Sequence, residues 1–166
     1  MKTWSRRIEK LYCYRDFELY LDDKLVAIAS SKWIAVYRNT GKIARLTKEI
    51  SEEYNSTDVS VFDEEISFEL EIPGNFSNTY TYTSERRDID TNHHVNNLFY
   101  LDFAYSALPE EVYNNIFNLN NIEITYKKEI KLGDTIKCKY TLENNKHIIV
   151  IYNEDEKVVH SVINLY

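Results

Sequence analysis

Three polar side chains of different chemistry occupy alternate positions in the stretch DIDTNHHVNN, namely Asp90, Asn92 and His94. Aspartate can act as a base or a nucleophile, and asparagine can orient a group or donate to an oxyanion. Histidine, with an ordinary pKa near ~6.5, can move protons at neutral pH. In an extended loop this spacing would place all three side chains on one side. The residues therefore indicate a site that could attack an acyl group.

The stretch leads into an apolar segment, NLFYLDFAYSAL, which predicts a helix buried on every face. The first N–H groups of such a helix have no internal partner and carry partial positive charge, so they can receive an oxyanion. A second interpretation stays open, because aspartate and asparagine are also preferred helix caps and the loop could only satisfy the helix end. The side chains of Asp88, His93 and Asn97 are interpreted as structural or exposed. His147 and His160 are interpreted as ordinary strand residues.

Strands must surround the helix if it is to be buried. Before the loop, Tyr80 and Tyr82 alternate with polar residues, as in a half-buried strand. After the helix, Pro109 opens a predicted short helix, and NIEITYKKEI, DTIKCKYTLEN and HIIVIYNEDEKVVHSVINLY predict four further strands, the last stretch turning at 153–156. This order predicts an α+β unit over residues 79–166, in which an antiparallel sheet wraps one central buried helix.

The rest of the chain predicts a smaller, strand-rich part. In residues 1–57, YCYRDFELYLD and KLVAIASSKWIAVYRN are rich in aromatic and β-branched residues, and a pair of aspartates between them predicts a hairpin turn. A turn at Gly41 with a short strand follows, and Thr47 is the predicted N-cap of a short helix. Residues 58–78 are acidic and irregular, which predicts a linker.

Composition excludes several classes of function. The 166 residues are 43% hydrophobic, enough for a core, and the net charge of −7 argues against nucleic acid as a partner. Three scattered glycines form no phosphate-binding loop, and neither a serine elbow nor a zinc-hydrolase motif is present. No uncharged apolar run reaches the ~18 residues of a membrane span, and no secretory signal is evident. We therefore expect a cytoplasmic protein without a membrane partner, with Cys13 and Cys138 as free thiols.

The stretch RRDIDTNHHVNNLFYLDF resembles the loop and helix of hotdog-fold thioesterases, and most of all those of the acyl-acyl carrier protein thioesterase family. In addition, IEITYKKEI is similar to that family's strand with a Tyr, two basic residues and a Glu, and YRDFELYLDDKLVAIASSKWIAVYRNTGKIARL is similar to the end of its first hotdog domain. The resemblance implies a complete hotdog in residues 79–166 and a remnant of a first hotdog in residues 1–57. A shorter motif, D-x-D-x-x-x-H-x-N, is shared with acyl-CoA thioesterases, so acyl carrier protein and CoA both stay open as the substrate carrier.

The resemblance also implies hydrolysis of a fatty acyl thioester without a metal or cofactor. The family's catalytic positions fall on Asp90, Asn92, His94 and Glu129. In that scheme Asp90 or Glu129 drives water or attacks the thioester, while the asparagine and histidine position the reactants and assist proton transfer. The oxyanion is expected at the backbone N–H groups of Val95, Asn96 and Asn97. Basic pairs that could receive an acidic carrier or a phosphopantetheine phosphate, or could simply be solvated, are Arg86-Arg87 and Lys127-Lys128.

Two features depart from the family pattern. Some members have a cysteine just after the glutamate, but Ile130 occupies that position here, which excludes a cysteine nucleophile there. Simple alternation also places Glu129 opposite the apolar face of its strand, so it reaches the site only if the strand has a bulge or that face looks away from the helix.

The second departure is the short first domain. Residues 1–46 lack the first strands and the helix of a full hotdog, so their apolar face must pack on the second hotdog, on another chain, or on nothing. We expect a homo-oligomer. Two functional alternatives stay open beside hydrolysis: a non-catalytic hotdog that binds acyl thioesters, and a purely structural dimerisation module.

Overall fold

Two antiparallel sheets form the framework of the chain. A computed structural model describes residues 1–166, and these fall into two units, Met1–Phe68 and Glu69–Tyr166. The proposed division into a hotdog remnant, an acidic linker and a complete hotdog stays a prediction. The boundary between the two units falls inside the segment predicted as the linker, residues 58–78.

The first unit contains a three-stranded sheet in the order β1-β2-β3. Its strands are β1 Lys2–Ile8, β2 Tyr12–Leu21 and β3 Lys24–Ile34. The predicted hairpin turn is confirmed: Asp22 and Asp23 have φ angles of 47° and 62°, in the left-handed region that short polar side chains tolerate. The strand predicted after Gly41 is only an isolated bridge between Val36 and Ile43.

One short helix and one buried carboxylate complete the first unit. The helix, α1 Lys48–Glu53, begins after Thr47, whose hydroxyl accepts the N–H of Ile50 as predicted for an N-cap. Asp16 on β2 is fully buried and accepts the N–H of Val61 at 2.9 Å and a serine hydroxyl of β3 at 2.6 Å. The start of the segment predicted as a linker is therefore hydrogen-bonded to the sheet.

The second unit contains a five-stranded antiparallel sheet packed against one helix. Its strands are β4 Asn78–Thr83, β5 Ile122–Tyr126, β6 Thr135–Glu143, β7 Lys146–Asn153 and β8 Val159–Leu165, in the sheet order β4-β6-β7-β8-β5. The helix, α2, spans Phe99–Ala107. A shorter helix, α3 Glu110–Asn114, follows with Pro109 as its N-cap rather than as its first residue. The predicted order of strand, helix and antiparallel strands is confirmed.

Strand β6 illustrates how alternation orients the sheet. Ile136 and Cys138 are fully buried, because alternate side chains of a strand point to the same face. The intervening Lys137 and Lys139 are only partly buried and pair with Glu156, at 3.1 and 2.6 Å. The buried face lies against α2.

Helix α2 is buried on one face rather than on every face. Tyr100, Phe103, Ala104 and Ala107 are buried at the i, i+3, i+4, i+7 spacing of one helical face. The prediction of burial all round is wrong, because the sheet covers one side only and leaves Asp102 and Ser106 exposed on the other. No helix of the chain is long and apolar enough to cross a membrane.

Candidate active site

The loop before α2 brings Asp90, Asn92 and His94 together. Both carboxylate oxygens of Asp90 accept from Asn92: Oδ1 from its backbone N–H at 2.7 Å and Oδ2 from its side-chain amide at 3.3 Å. Nδ1 of His94 lies 3.7 Å from Oδ1 of Asp90 and 3.2 Å from the carbonyl oxygen of Val95. Asp90 therefore contacts both of its predicted partners.

The loop is a tight turn rather than the extended segment that the sequence suggested. Ile89 and Val95 form an antiparallel bridge, and the N–H of Asp90 donates to the carbonyl oxygen of His94 at 2.9 Å. His93 lies at the tip of the turn with a φ of 66° and an exposed side chain. The turn itself, rather than alternation along a strand, collects the three polar groups.

Electrostatics favour an ionised Asp90. Burial alone would raise its pKa, but the hydrogen bonds from Asn92 and the nearby charge of a protonated His94 outweigh this effect and hold the pKa below its ordinary value. Because acceptors lie on both sides of Nδ1 of His94, that nitrogen carries the proton in the neutral ring. Nε2 is then a lone-pair acceptor, and it has no partner within the protein.

Glu129 lies in the segment that follows strand β5. Strand β5 ends at Tyr126, and the N–H groups of Lys127 and Lys128 both donate to the carbonyl oxygen of His160, at 2.8 and 3.2 Å. Two N–H groups facing one carbonyl interrupt the alternation of the strand. This is the hydrogen-bond pattern of a bulge, one of the two conditions given above under which Glu129 would reach the site, and its role there stays a prediction. The Glu129 side chain is 51% exposed and pairs with Lys131 at 3.4 Å.

The residue after Glu129 ties this segment to the loop. Ile130 is fully buried, and its carbonyl oxygen accepts the N–H of Val95 at 2.8 Å. Its own N–H donates to the hydroxyl of Tyr100 on α2 at 3.2 Å. The segment that carries Glu129 is thus hydrogen-bonded to both the loop and the helix.

Side chains also hold the carbonyl oxygen of Lys128. Nδ1 of His160 lies 3.1 Å from it, and the Tyr100 hydroxyl lies 3.5 Å from it. Burial raises the pKa of Tyr100 to about 12, so this hydroxyl keeps its proton across the physiological range. Nε2 of His160 is buried without a hydrogen-bond partner.

The backbone N–H groups predicted to bind an oxyanion differ in availability. The N–H of Val95 donates to Ile130, and that of Asn96 donates to the carbonyl oxygen of Asp88 at 2.8 Å. Both are already used in closing the loop, which corrects their prediction as free donors. The N–H of Asn97, two residues before α2 begins, has no acceptor within the protein.

The predicted carrier-binding residues lie on two separate segments, one directly before the loop and one directly after β5. Arg86 and Arg87 lie in a short 3-10 turn directly before it, and both are exposed. Arg87 is partly neutralised, since its Nε lies 3.4 Å from Glu85 and 3.7 Å from Asp88. Lys127 and Lys128 form the exposed bulge, and no acidic side chain pairs with either of them.

Several residues outside the predicted site support its geometry, and Asp88 does so as the structural residue that the sequence suggested. Asp88 is buried and accepts the Tyr82 hydroxyl at 2.9 Å and the N–H of Glu85 at 2.8 Å, so it stabilises the turn before the loop. Tyr100 and His160 hold the Glu129 segment across separations of 28 and 32 residues. No local pattern could have revealed these contacts. No group of three or more His, Cys, Asp or Glu side chains is arranged to hold a metal ion.

A five-stranded antiparallel sheet packed against one long helix, with a polar loop at the start of that helix, is the arrangement of the hotdog fold. Solved structures share it. The acyl-ACP thioesterase from Bacteroides thetaiotaomicron superposes with a TM-score of 0.78 at 21% identity, covering 98% of this chain and 65% of that one. The 12:0-ACP thioesterase from Umbellularia californica gives 0.80 at 17% identity with the same coverage. At these identities the likeness shows the fold alone.

The chain belongs to the acyl-ACP thioesterase family. Residues 73–164 match the acyl-ACP thioesterase C-terminal domain, and residues 1–54 match the N-terminal domain, which confirms the resemblance seen in the sequence. Among its relatives, oleoyl-acyl carrier protein thioesterase 2, chloroplastic, of Arabidopsis thaliana is 25% identical over 161 residues, 90% of this chain and 43% of that protein. The oleoyl-acyl carrier protein thioesterase of Coriandrum sativum is 25% identical over 148 residues, 82% of this chain and 40% of that protein. The chain spans less than half the length of these relatives.

Proposed function

We propose that this chain hydrolyses fatty acyl thioesters and releases a free fatty acid and a thiol. One observation carries the proposal: the hydrogen bond between the N–H of Val95 and the carbonyl oxygen of Ile130. It joins the loop with Asp90, Asn92 and His94 to the segment with Glu129. Membership of the acyl-ACP thioesterase family supports the same reaction.

The two carboxylates take different roles in this proposal. Both oxygens of Asp90 accept hydrogen bonds from Asn92, and its charge faces His94, so Asp90 orients the histidine rather than attacks the substrate. Glu129 is half exposed, and only Lys131 pairs with it. Glu129 is therefore the group that takes a proton from the attacking water.

The bond changes follow from these roles. The water oxygen bonds to the thioester carbonyl carbon while its proton passes to Glu129. The tetrahedral intermediate then collapses, the carbon–sulfur bond breaks, and the thiolate leaves with that proton, relayed through Nε2 of His94. The N–H of Asn97, near the positive end of α2, donates to the negative oxygen of the intermediate.

Acyl carrier protein is the carrier that the surface favours. Arg86, Lys127 and Lys128 are exposed and have no acidic partner, and they flank the loop where an acyl thioester would enter. Such a cluster on a chain of net charge −7 suits a local acidic partner or a phosphopantetheine phosphate. The relatives named above are acyl carrier protein thioesterases. Acyl-CoA presents the same phosphopantetheine arm and is the alternative.

A substrate series tests the proposal. The purified chain is offered acyl carrier protein and CoA thioesters of several acyl lengths, and release of free thiol is followed. Turnover that is lost in Glu129→Gln supports hydrolysis at this site, and a higher kcat/KM for the carrier-protein substrates supports that carrier. Saturable binding without turnover would instead identify a non-catalytic acyl-thioester-binding domain, and neither binding nor turnover would overturn the proposal.

We also propose that the chain self-associates through β3. This strand pairs with β2 on one side only, so its other edge offers unpaired backbone groups. It also exposes large apolar side chains: Leu25, Val26, Ile28, Trp33 and Ile34. A second copy of the chain would remove this surface from water.

A further inference from the structure

The two residues next to Glu129, Lys128 and Ile130, both form hydrogen bonds through their backbone N–H and their backbone carbonyl oxygen. The N–H of Lys128 donates to the carbonyl oxygen of His160 at 3.2 Å, and the carbonyl oxygen of Lys128 lies 3.1 Å from Nδ1 of the His160 ring. The N–H of Ile130 donates to the Tyr100 hydroxyl at 3.2 Å, and the carbonyl oxygen of Ile130 accepts the N–H of Val95 at 2.8 Å. Glu129 itself lies between two immobilised neighbours.

Only two of the groups that hold this segment are side chains, the Tyr100 hydroxyl and the His160 imidazole. Both residues are buried, Tyr100 at 2% and His160 at 4% exposure. A buried polar group in such a place costs free energy unless it is hydrogen-bonded, so these contacts are not incidental. The carbonyl oxygen of Lys128 can only accept, and therefore Nδ1 of His160 must carry the proton.

We infer that Tyr100 and His160 are positioning residues for Glu129: from α2 and β8 they hold the backbone on either side of the residue that carries this carboxylate. The inference rests on the proposed hydrolysis, because it assigns the two side chains to the same reaction. Neither touches the reacting atoms. Their effect passes through the backbone of Lys128 and Ile130 to the position of the base, and displacement of a base by about 1 Å can cost on the order of 10²-fold in rate.

Four variants separate positioning from general stability. Tyr100→Phe removes one hydroxyl and leaves the ring. His160→Leu removes the ring N–H that donates to the carbonyl oxygen of Lys128. His160→Asn places an amide N–H near the position of Nδ1 and should restore that hydrogen bond. Tyr140→Phe is the control, since Tyr140 is likewise buried and its hydroxyl lies 2.9 Å from a histidine ring, that of His147, away from the bulge.

The expected kinetic result is a split between kcat and KM. Tyr100→Phe and His160→Leu should lower kcat by about 10- to 10²-fold with KM changed less than about twofold, while His160→Asn recovers most of the rate and Tyr140→Phe retains it. When His160→Leu is added to Glu129→Gln, the residual kcat should fall by less than about twofold, because the carboxylate that His160 positions is already absent. An equal loss in both backgrounds, or no loss in either, overturns the inference.

A measurement without substrate keeps the inference separate from the proposed reaction. In the wild-type chain, ¹⁵N NMR should show His160 protonated at Nδ1, and amide exchange at Ile130 should accelerate in Tyr100→Phe but not in Tyr140→Phe. If the chain shows these signals but hydrolyses no thioester, the proposed hydrolysis is refuted, while the contacts of Tyr100 and His160 with the Glu129 segment are confirmed. A His160 ring protonated only at Nε2, or unchanged Ile130 exchange, refutes the contacts whatever the activity.

Discussion

The backbone N–H of Val95 donates to the carbonyl oxygen of Ile130 over 2.8 Å. Val95 follows His94, and Ile130 follows Glu129, so this single bond brings together the residues of two distant parts of the chain. Both partners are fully buried. The bond is therefore shielded from water, and it fixes the loop and the bulge relative to each other.

Loss of the proton-transfer group should nearly abolish turnover. His94→Ala removes the ring that relays the proton to the leaving thiolate in the proposed reaction, and we expect kcat to fall by about 10² to 10⁴-fold. Thiol release under saturating substrate measures it. His93→Asn is the matched control, because His93 is exposed and asparagine tolerates its φ of 66°. Similar losses in the two variants would contradict the role given to His94.

Glu129→Gln should lower kcat without unfolding the protein. The carboxylate is half exposed and pairs only with Lys131, and such surface pairs are worth about 0–1 kcal/mol. The free energy of unfolding in denaturant should therefore change by no more than about 1 kcal/mol in either Glu129→Gln or Lys131→Met. Only Glu129→Gln should lose turnover. If Glu129→Gln keeps wild-type kcat, the base is another group.

Asp90 should stabilise the folded protein more at neutral than at acid pH. Its folded-state pKa lies below the ordinary value of 3.8, so the ionised form is favoured by folding. That contribution is complete above the unfolded-state pKa and disappears as pH falls through the lower folded-state pKa. Urea unfolding of wild type and Asp90→Asn from about pH 7 to about pH 2 should show a difference that shrinks on acidification. A difference that is constant with pH would contradict the shift.

Thiol reagents should leave activity intact. Burial raises the pKa of Cys138 to about 12, and burial also raises the pKa of Cys13, so neither thiol is a ready nucleophile at neutral pH. We expect mass spectrometry to find no alkylation of Cys138 in the native chain and complete alkylation after denaturation. Inactivation that follows labelling of either cysteine would show that a thiol takes part in the reaction.

Association through β3 should depend on its exposed apolar side chains. Light scattering at micromolar protein is expected to show a dimer or larger assembly, and Trp33→Glu should shift it towards monomer. Lys24→Glu is the control, because it adds negative charge to the same strand without removing apolar surface. A monodisperse wild-type monomer would rule out this interface.

Local chemistry explains what could be predicted from the sequence. The Asp22-Asp23 turn, the Thr47 cap, the helix after the loop and the strands that follow depend on neighbours a few residues away. The loop motif itself identified the family, because its residue types recur at fixed spacing. The exposed side of α2 was missed, since an apolar sequence does not say how many sides a sheet will cover.

The sequence alone determined which chemical groups this protein has: Asp90, Asn92 and His94 in one stretch, Glu129 in a later one, and no cysteine beside Glu129. Only the tertiary structure decided how they meet. The loop folds into a turn that consumes two of the three predicted oxyanion donors, and β5 ends at Tyr126, so Glu129 lies beyond the strand in a segment held by His160 and Tyr100. These outcomes depend on hydrogen bonds between residues far apart in the chain, which local propensity and spacing do not specify.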